Sequence, residues 1–323
     1  MENEELKTIM IFGVSSFVGS NLAEFFKRSY RVIGTYFKHP IFISGVTTIP
    51  CDVMTKEEVQ LAIFTFKPDF VIYSVGLSSV YDCSKAKDYA EALNTIGLFN
   101  VVENCQRYKS QVIYISSSMV FGGVDKLYIE SDIPDSLSVY GKTKSSAEFF
   151  IQRTSLNYLI FRVCALYGRG AAPRQMTTFE LLQNKIENGD SMLCDNNVFQ
   201  GFLDPYYLGM AIKLIIEKGV VNRLFQISST DFMTFYDFAK LYCKVFKQSD
   251  RSLSKGYWSF PIMSSSTSSW SGGPIFCKMD MVNLENYLNT RLPTVEESLK
   301  FTFQRFRGTE KIAKGRDEGI VFI

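Results

Sequence analysis

The chain has 323 residues, 46% of them hydrophobic and 21% charged, with a net charge of +2. This is ordinary globular composition with apolar surface for a large core, and it excludes a strong field aimed at nucleic acid or at a membrane surface. No apolar run reaches the roughly 18–20 residues that span a bilayer, and Met1 to Lys7 has neither a basic n-region nor an apolar signal segment. A cytoplasmic location without membrane attachment is therefore expected.

Thr8 to Phe12 is a short run of β-formers ending at Gly13, and Val18 to Arg28 follows at helical period. Arg31 to Tyr36 and Thr48 to Val53 read as strands. Thr55 to Phe66 reads as a helix with Thr55 as N-cap and Glu58 as its capping-box partner. Asp69 to Val75 is a strand, Lys85 to Tyr108 one long helix, Gln111 to Ser116 a strand, Ser138 to Thr154 a helix and Tyr158 to Val163 a strand. Strands alternating with helices predict βαβ units and a mostly parallel sheet, and the apolar strands suit a sheet covered on both faces. The fold class is α/β, a Rossmann-type doubly wound parallel sheet with a smaller C-terminal α/β lobe.

After Arg169 the rhythm breaks. Helices are predicted over Thr177 to Glu187, Tyr206 to Lys218, Thr234 to Phe246 and Thr294 to Arg305, with a short strand at Leu224 to Ile227. Residues 249–276 are Ser/Gly-rich and read as a loop or flap. Residues 1–168 form the expected dinucleotide-binding domain, with return elements at about 202–228. Residues 169–201 and 229–306 form a substrate lobe, and 307–323 a tail. Seven scattered cysteines without a CxxC pair read as buried free thiols. His39 is the only histidine, which argues against zinc and against Ser-His-Asp or Cys-His catalysis, so no metal is expected.

Two constellations carry chemistry. The segment Gly13-Val14-Ser15-Ser16-Phe17-Val18-Gly19 joins the first strand to the first helix. Gly13 permits a sharp turn, Gly19 close packing, and the helix N-terminus offers N–H groups to a pyrophosphate. An ordinary βα turn remains the alternative. At the end of the second strand stand Tyr36, Lys38 and His39 with no acid, which favours the 2′-phosphate of NADP over NAD. Two solvated surface residues are the alternative there. The second constellation is Tyr140 and Lys144, four apart on one helix face, with Ser116-Ser117-Ser118 at the tip of the fifth strand. An ammonium near the phenol is expected to lower the tyrosine pKa and make it a general acid/base, and a serine hydroxyl is expected to hold the reacting oxygen.

On these motifs the chain resembles the extended short-chain dehydrogenase/reductases from about Thr8 to about Lys300. Further signs are Cys51-Asp52-Val53 after the third strand, Asn94 in the long helix, Arg162 to Gly168, Leu224 to Ser228, and Leu292 to Glu297. Tyr114 to Phe121 and Ser131 to Pro134 look most like the dTDP-4-dehydrorhamnose reductase branch and its relative, the regulatory β subunit of methionine adenosyltransferase. The resemblance implies Ser117 as catalytic hydroxyl, Tyr140 as proton donor and Lys144 as ligand of the nicotinamide ribose. It extends the cofactor contacts from Gly13, Ser15, Ser16, Phe17, Val18 and Gly19 to Asp52, Val53, Val75, Gly76, Asn94, Ser116 and Val163. Ser78, Ser118, Met119, Arg169, Arg174 and Tyr206 become candidates for substrate contact. For the arginines, solvated loop positions remain the alternative, and for Phe202, Tyr206 and Tyr207, helix packing does.

The chain departs from that pattern at Ser16, where a glycine is usual and a Cβ is expected to crowd the pyrophosphate. It also departs at Val75-Gly76, at Ser118-Met119 and at Tyr206-Tyr207. The missing acid beside Ser117 disfavours 4,6-dehydration. The absent cysteine and distant histidine disfavour 3,5-epimerase/reductase chemistry. The missing acid after the second strand weighs against NAD-holding 4-epimerases. What remains is an NADP-dependent reductase of a nucleotide-diphosphate 4-keto-sugar, in surface polysaccharide or deoxysugar biosynthesis. A nucleotide-sugar 4-epimerase or NAD-dependent sugar dehydrogenase is the first alternative, and a non-catalytic cofactor-binding subunit the second. A homodimer through the catalytic-helix face is common in families of this kind.

Overall fold

The structure is a computed structural model that describes residues 6–155, 157–171, 176–256 and 273–317, with side chains described to residue 307. A seven-stranded parallel sheet forms its centre. In chain order the strands are β1 (Thr8–Phe12), β2 (Arg31–Tyr36), β3 (Thr47–Pro50), β4 (Phe70–Tyr73), β5 (Gln111–Ser117), β6 (Tyr158–Val163) and β7 (Arg223–Ile227). Their spatial order is β7-β6-β5-β4-β1-β2-β3. β1, β4 and β5 are buried along their whole length, as strands covered on both faces must be.

Residue alternation along the strands builds two cores. Ile9, Ile11, Ile113, Ile115, Phe161 and Ile227 face α1 (Phe17–Phe26) and a later helix, Pro205–Glu217. Met10, Phe12, Val71, Tyr73, Tyr114 and Ile160 face α2 (Lys56–Phe66), α3 (Gly97–Tyr108) and α4 (Val139–Thr154). Strand order reverses between β1 and β4, so a crevice opens beyond their carboxyl ends, where doubly wound sheets bind ligands.

The smaller lobe is built on α5 (Thr178–Glu187), α7 (Phe235–Phe246) and α9 (Val295–Asp317), while α6 (Pro205–Glu217) and α8 (Val282–Leu288) pack on the large sheet. Phe179, Leu182, Phe202, Phe238, Tyr242, Val295 and Leu299 form the core of the lobe. Short parallel pairs finish it: Met192–Asp195 with Leu253–Gly256, and Val198–Gln200 with Ile275–Met279, which also pairs with Leu127–Tyr128.

Four expectations are corrected. The expected loop over 249–276 carries strands at both ends, while residues 257–272 lie outside the described residues. The last helix continues through the expected tail as far as Asp317. The long helix from Lys85 is broken into Val80–Lys85, Lys87–Glu91, a π-helical turn Ala92–Ile96 and α3. The Thr55/Glu58 capping box does not form, because the Glu58 carboxylate accepts the Asp52 N–H at 2.7 Å instead and Thr55 makes no side-chain cap bond. All seven cysteines are free and buried. Among the described residues no helix is long and apolar enough to cross a membrane, and no group of three or more His, Cys, Asp or Glu is placed to hold a metal ion.

Candidate active site

The turn from β1 into α1 is folded for an anion. Gly13 takes φ +84, and its N–H and that of Val14 donate to the Thr35 carbonyl at 3.1 and 2.8 Å. Ser16 is the N-cap: its Oγ accepts the Gly19 N–H at 3.0 Å and lies 3.4 Å from the Ser74 hydroxyl. The Ser16 side chain is thus spent on the helix end, its hydroxyl serving as the cap. Gly19 has to be glycine, since a Cβ there would be driven into the Gly13 carbonyl oxygen. Phe17 and Val18 sit in the first turn, where N–H groups have no intrahelical partner and the helix dipole is positive. Ser15 to Val18 are half-buried, and the cradle fits a pyrophosphate.

At the end of β2 Tyr36 is half-buried, while Lys38 and His39 are exposed. The Lys38 ammonium lies 5.1 Å from the Phe37 ring centroid. Asp52 is half-buried, and its Oδ1 accepts the Met54 N–H at 2.9 Å.

The catalytic candidates converge at the carboxyl end of β5. Ser138 caps α4 by accepting the Gly141 N–H at 3.0 Å. That places Tyr140 in the first turn, its phenol beside the Ser117 side chain. Ser117 Oγ also accepts the Met119 N–H at 3.1 Å. One turn on, Lys144 Nζ donates to the Ile115 carbonyl at 2.9 Å and lies 5.9 Å from the Tyr140 ring centroid and 4.9 Å from that of Tyr114.

Burial pushes the Tyr140 phenol up to about 12; the Ser117 side chain opposes this, and the nearby Cys83 adds to it. Burial pushes the Lys144 ammonium down to about 8, against the pull of Glu148 and Cys83. The expected lowering of the phenol by the ammonium is therefore corrected. Desolvation dominates at the phenol, and the ammonium is bonded to a main-chain carbonyl instead.

The profile described as RmlD substrate binding domain matches residues 7–307. The chain belongs to this family. Its relatives include a dTDP-4-dehydrorhamnose reductase from Aggregatibacter actinomycetemcomitans, 26% identical over 192 residues, which are 58% of this chain and 65% of that protein. Methionine adenosyltransferase 2 subunit beta from Rattus norvegicus is 27% identical over 165 residues, 50% of this chain and 48% of that protein. The chain spans about half to two thirds of the length of these curated relatives. A crystal structure of dTDP-4-dehydrorhamnose reductase from Bacillus anthracis str. Ames, in complex with NADP, shares the fold. Its TM-score is 0.77 at 19% identity, covering 93% of this chain and 99% of that one.

Within this RmlD-family frame the structure sorts the remaining candidates. Val75 and Gly76 follow β4 at the crevice, half-buried and exposed, with Ser78 exposed beyond them. Val53 and Val163 are buried. Asn94 is 1% exposed and acts as a brace: it accepts the Leu77 N–H at 2.9 Å and donates to Thr143 Oγ1 at 2.9 Å. It ties the loop after β4 to α4 from behind the crevice. Ser116 is likewise behind the site. It points to the opposite face of β5 from Ser117 and donates to the Glu148 carboxylate.

Just after β5, Ser118 is buried in a one-turn 3-10 helix, Ser118–Val120. Met119 packs on Val198, Ile275 and Cys277, its sulfur 3.7 Å from the Cys277 thiol. Arg169 is turned toward α5 and α9: Nε donates to Gln183 at 3.2 Å, and the guanidinium lies 4.3 Å from the Phe306 ring centroid. Tyr206 is a packing residue between Phe25 and Phe301, with ring centroids at 5.2 and 4.7 Å. Neither Arg169 nor Tyr206 is brought to the Ser117/Tyr140 pair. Arg174 lies outside the described residues. Reasoning from sequence missed Ser74, Cys83, Glu148 and Arg162. For Glu148 a signal was present, since it stands four residues after Lys144 on the same helix face.

Proposed function

We propose that the chain is an NADP-dependent reductase of a nucleotide-diphosphate 4-keto-sugar, acting in surface polysaccharide or deoxysugar biosynthesis in the cytoplasm. The observation that carries this reading is the convergence of Tyr140, Ser117 and Lys144 at the end of β5, with the Lys144 ammonium 5.9 Å from the Tyr140 ring, near a helix N-terminus suited to a pyrophosphate. When bound, the dinucleotide supplies the hydride for the carbonyl carbon. The chain supplies the proton. A phenol raised to about 12 keeps its proton at neutral pH, which suits donation to the alkoxide oxygen of a reduced ketone. Ser117 holds that oxygen by hydrogen bonding. Lys144, down at about 8 and one turn away, is a nearby cation and proton source for the phenolate left behind. The balance is one ketone, one hydride and one proton to one alcohol.

Lys38 and His39, exposed at the end of β2 where no acid stands, support NADP over NAD. The likeness to a dTDP-4-dehydrorhamnose reductase supports a sugar-nucleotide substrate. A homodimer through the exposed face of α4 is part of the same reading. Turnover of NADPH with dTDP-4-dehydrorhamnose tests it. Tyr140→Phe is expected to lose about a hundredfold or more in kcat while still binding NADPH, and full activity in that variant would contradict the assignment.

A second reading is favoured by the likeness to methionine adenosyltransferase 2 subunit beta: a dinucleotide-binding regulatory subunit. Stable association with a larger enzyme, together with no turnover of any sugar nucleotide, would select it.

A further inference from the structure

Beneath the Tyr140/Lys144 pair lies a buried ion pair that the proton-transfer chemistry does not itself use. Tyr140, Lys144 and Glu148 follow one another at intervals of four along α4 and share one face. Glu148 is 2% exposed, and Arg162 on β6 is 3% exposed. Arg162 Nε reaches both carboxylate oxygens at 3.0 and 3.2 Å, and Nη2 reaches Oε2 at 2.8 Å. Ser116 donates to the same carboxylate. Arg162 is held in turn by the Glu130 carbonyl at 3.2 Å and lies 5.0 Å from the Phe121 ring centroid.

We propose that Glu148, clamped by Arg162 and Ser116, is a positioning residue that keeps Lys144 charged and seated behind Tyr140. A buried ion pair is a weak source of net stability, because desolvation offsets its attraction. Its place is what matters. The carboxylate is one turn from Lys144, and through Ser116 it grips the residue before Ser117 while Lys144 grips the residue before that, at the Ile115 carbonyl. Helix face and strand end are thereby locked in register by two neighbouring bonds.

The groups facing Lys144 are Glu148 and Tyr140 on α4, Tyr114 on β5 and Cys83 on the helix Val80–Lys85. The Cys83 thiol is raised by burial and so stays neutral at physiological pH. Glu148 is thus the anion among these groups that opposes the desolvation of the ammonium. Facing Glu148 are Arg162, Ser116 and the Tyr114 phenol.

The inference rests on Lys144 working as an ammonium in the proposed reductase, but its test does not depend on turnover. In apoprotein labelled with 15N-lysine, the Nζ signal assigned through Lys144→Met reports the titration directly. Glu148→Gln is expected to move that midpoint down by about one pH unit, and Glu148→Asp to restore most of it. Glu148→Gln/Arg162→Met removes both members of the ion pair and leaves no unpaired guanidinium, so it serves where the single variant fails to fold, with a smaller shift in the same direction. In turnover, the alkaline limb of kcat/KM should move the same way. A Lys144 midpoint unchanged in folded Glu148→Gln, or in the double variant standing in for it, overturns the proposal. Full activity of Tyr140→Phe would overturn the reductase reading and leave this titration result standing.

Discussion

Gly141 and Met119 are in main-chain contact: a Cβ on Gly141 would be driven into the Met119 carbonyl oxygen and the Ser136 hydroxyl. This contact lets the first turn of α4 lie against the 3-10 turn that follows β5, which brings the Tyr140 phenol beside the Ser117 side chain. Glycine to alanine inside a helix ordinarily stabilises by about 1 kcal/mol. Here Gly141→Ala should do the reverse. It is expected to cost about 1–3 kcal/mol through overpacking and to lower kcat more than cofactor affinity. Chemical denaturation with parallel kinetics checks it, and a more stable, fully active Gly141→Ala would break the proposed link.

Ser16 offers a contrasting case, because its side chain works as a helix cap. Ser16→Ala should cost about 1 kcal/mol, the usual worth of an N-cap, and lower the melting temperature by a few degrees. The N–H groups of Phe17 and Val18 stay in place, so NADPH affinity should change less than threefold, about 0.7 kcal/mol. A large loss of affinity at unchanged stability would mean that the hydroxyl contacts phosphate instead.

Stability should decline in alkali. Burial pushes Cys51, Cys164 and Cys277 up to about 12 from an ordinary 9.0. Below 9 both folded and unfolded chains hold these protons. Above it the unfolded chain releases protons that the folded chain keeps, so this stabilisation drains away between about 9 and about 12. Lys144 acts oppositely between about 8 and its ordinary 10.5, where the unfolded chain holds the extra proton. The raised thiols, Cys194 and Cys243 at about 11 among them, outnumber the one lowered ammonium and give a net fall in melting temperature as pH rises through 10. In Cys164→Ala/Cys277→Ala the slope should flatten even though the neutral-pH value drops, and an unchanged slope would contradict the assignment to these thiols.

The alternation of strands and helices was legible because doubly covered strands are apolar throughout. The Tyr140/Lys144/Ser117 set was legible because chain order alone puts it at one strand end. The roles of neighbouring residues were harder to read. Ser116 and Ser117 look alike in sequence, yet strand alternation sends one to Glu148 and the other to Tyr140. Arg169 and Tyr206 found their partners on α9, through Phe306 and Phe301, more than ninety residues further along; local pattern carries no sign of such contacts. The strands of the smaller lobe run two to five residues, too short for a period to show. The π-helical turn coincides with the bonds of Asn94 to Leu77 and Thr143, tertiary contacts that local pattern does not show. Even the phenol's acidity, inferred from spacing, yielded to burial once the packing was seen.

The most direct measurement is hydride transfer itself. NADPH carrying deuterium at C4 of its nicotinamide would be incubated with the protein and dTDP-4-dehydrorhamnose, and the sugar product examined by mass spectrometry. The account predicts deuterium at C4 of the sugar with equal formation of NADP, and neither with Tyr140→Phe. Saturated NADPH binding with no deuterium in any sugar product would contradict it.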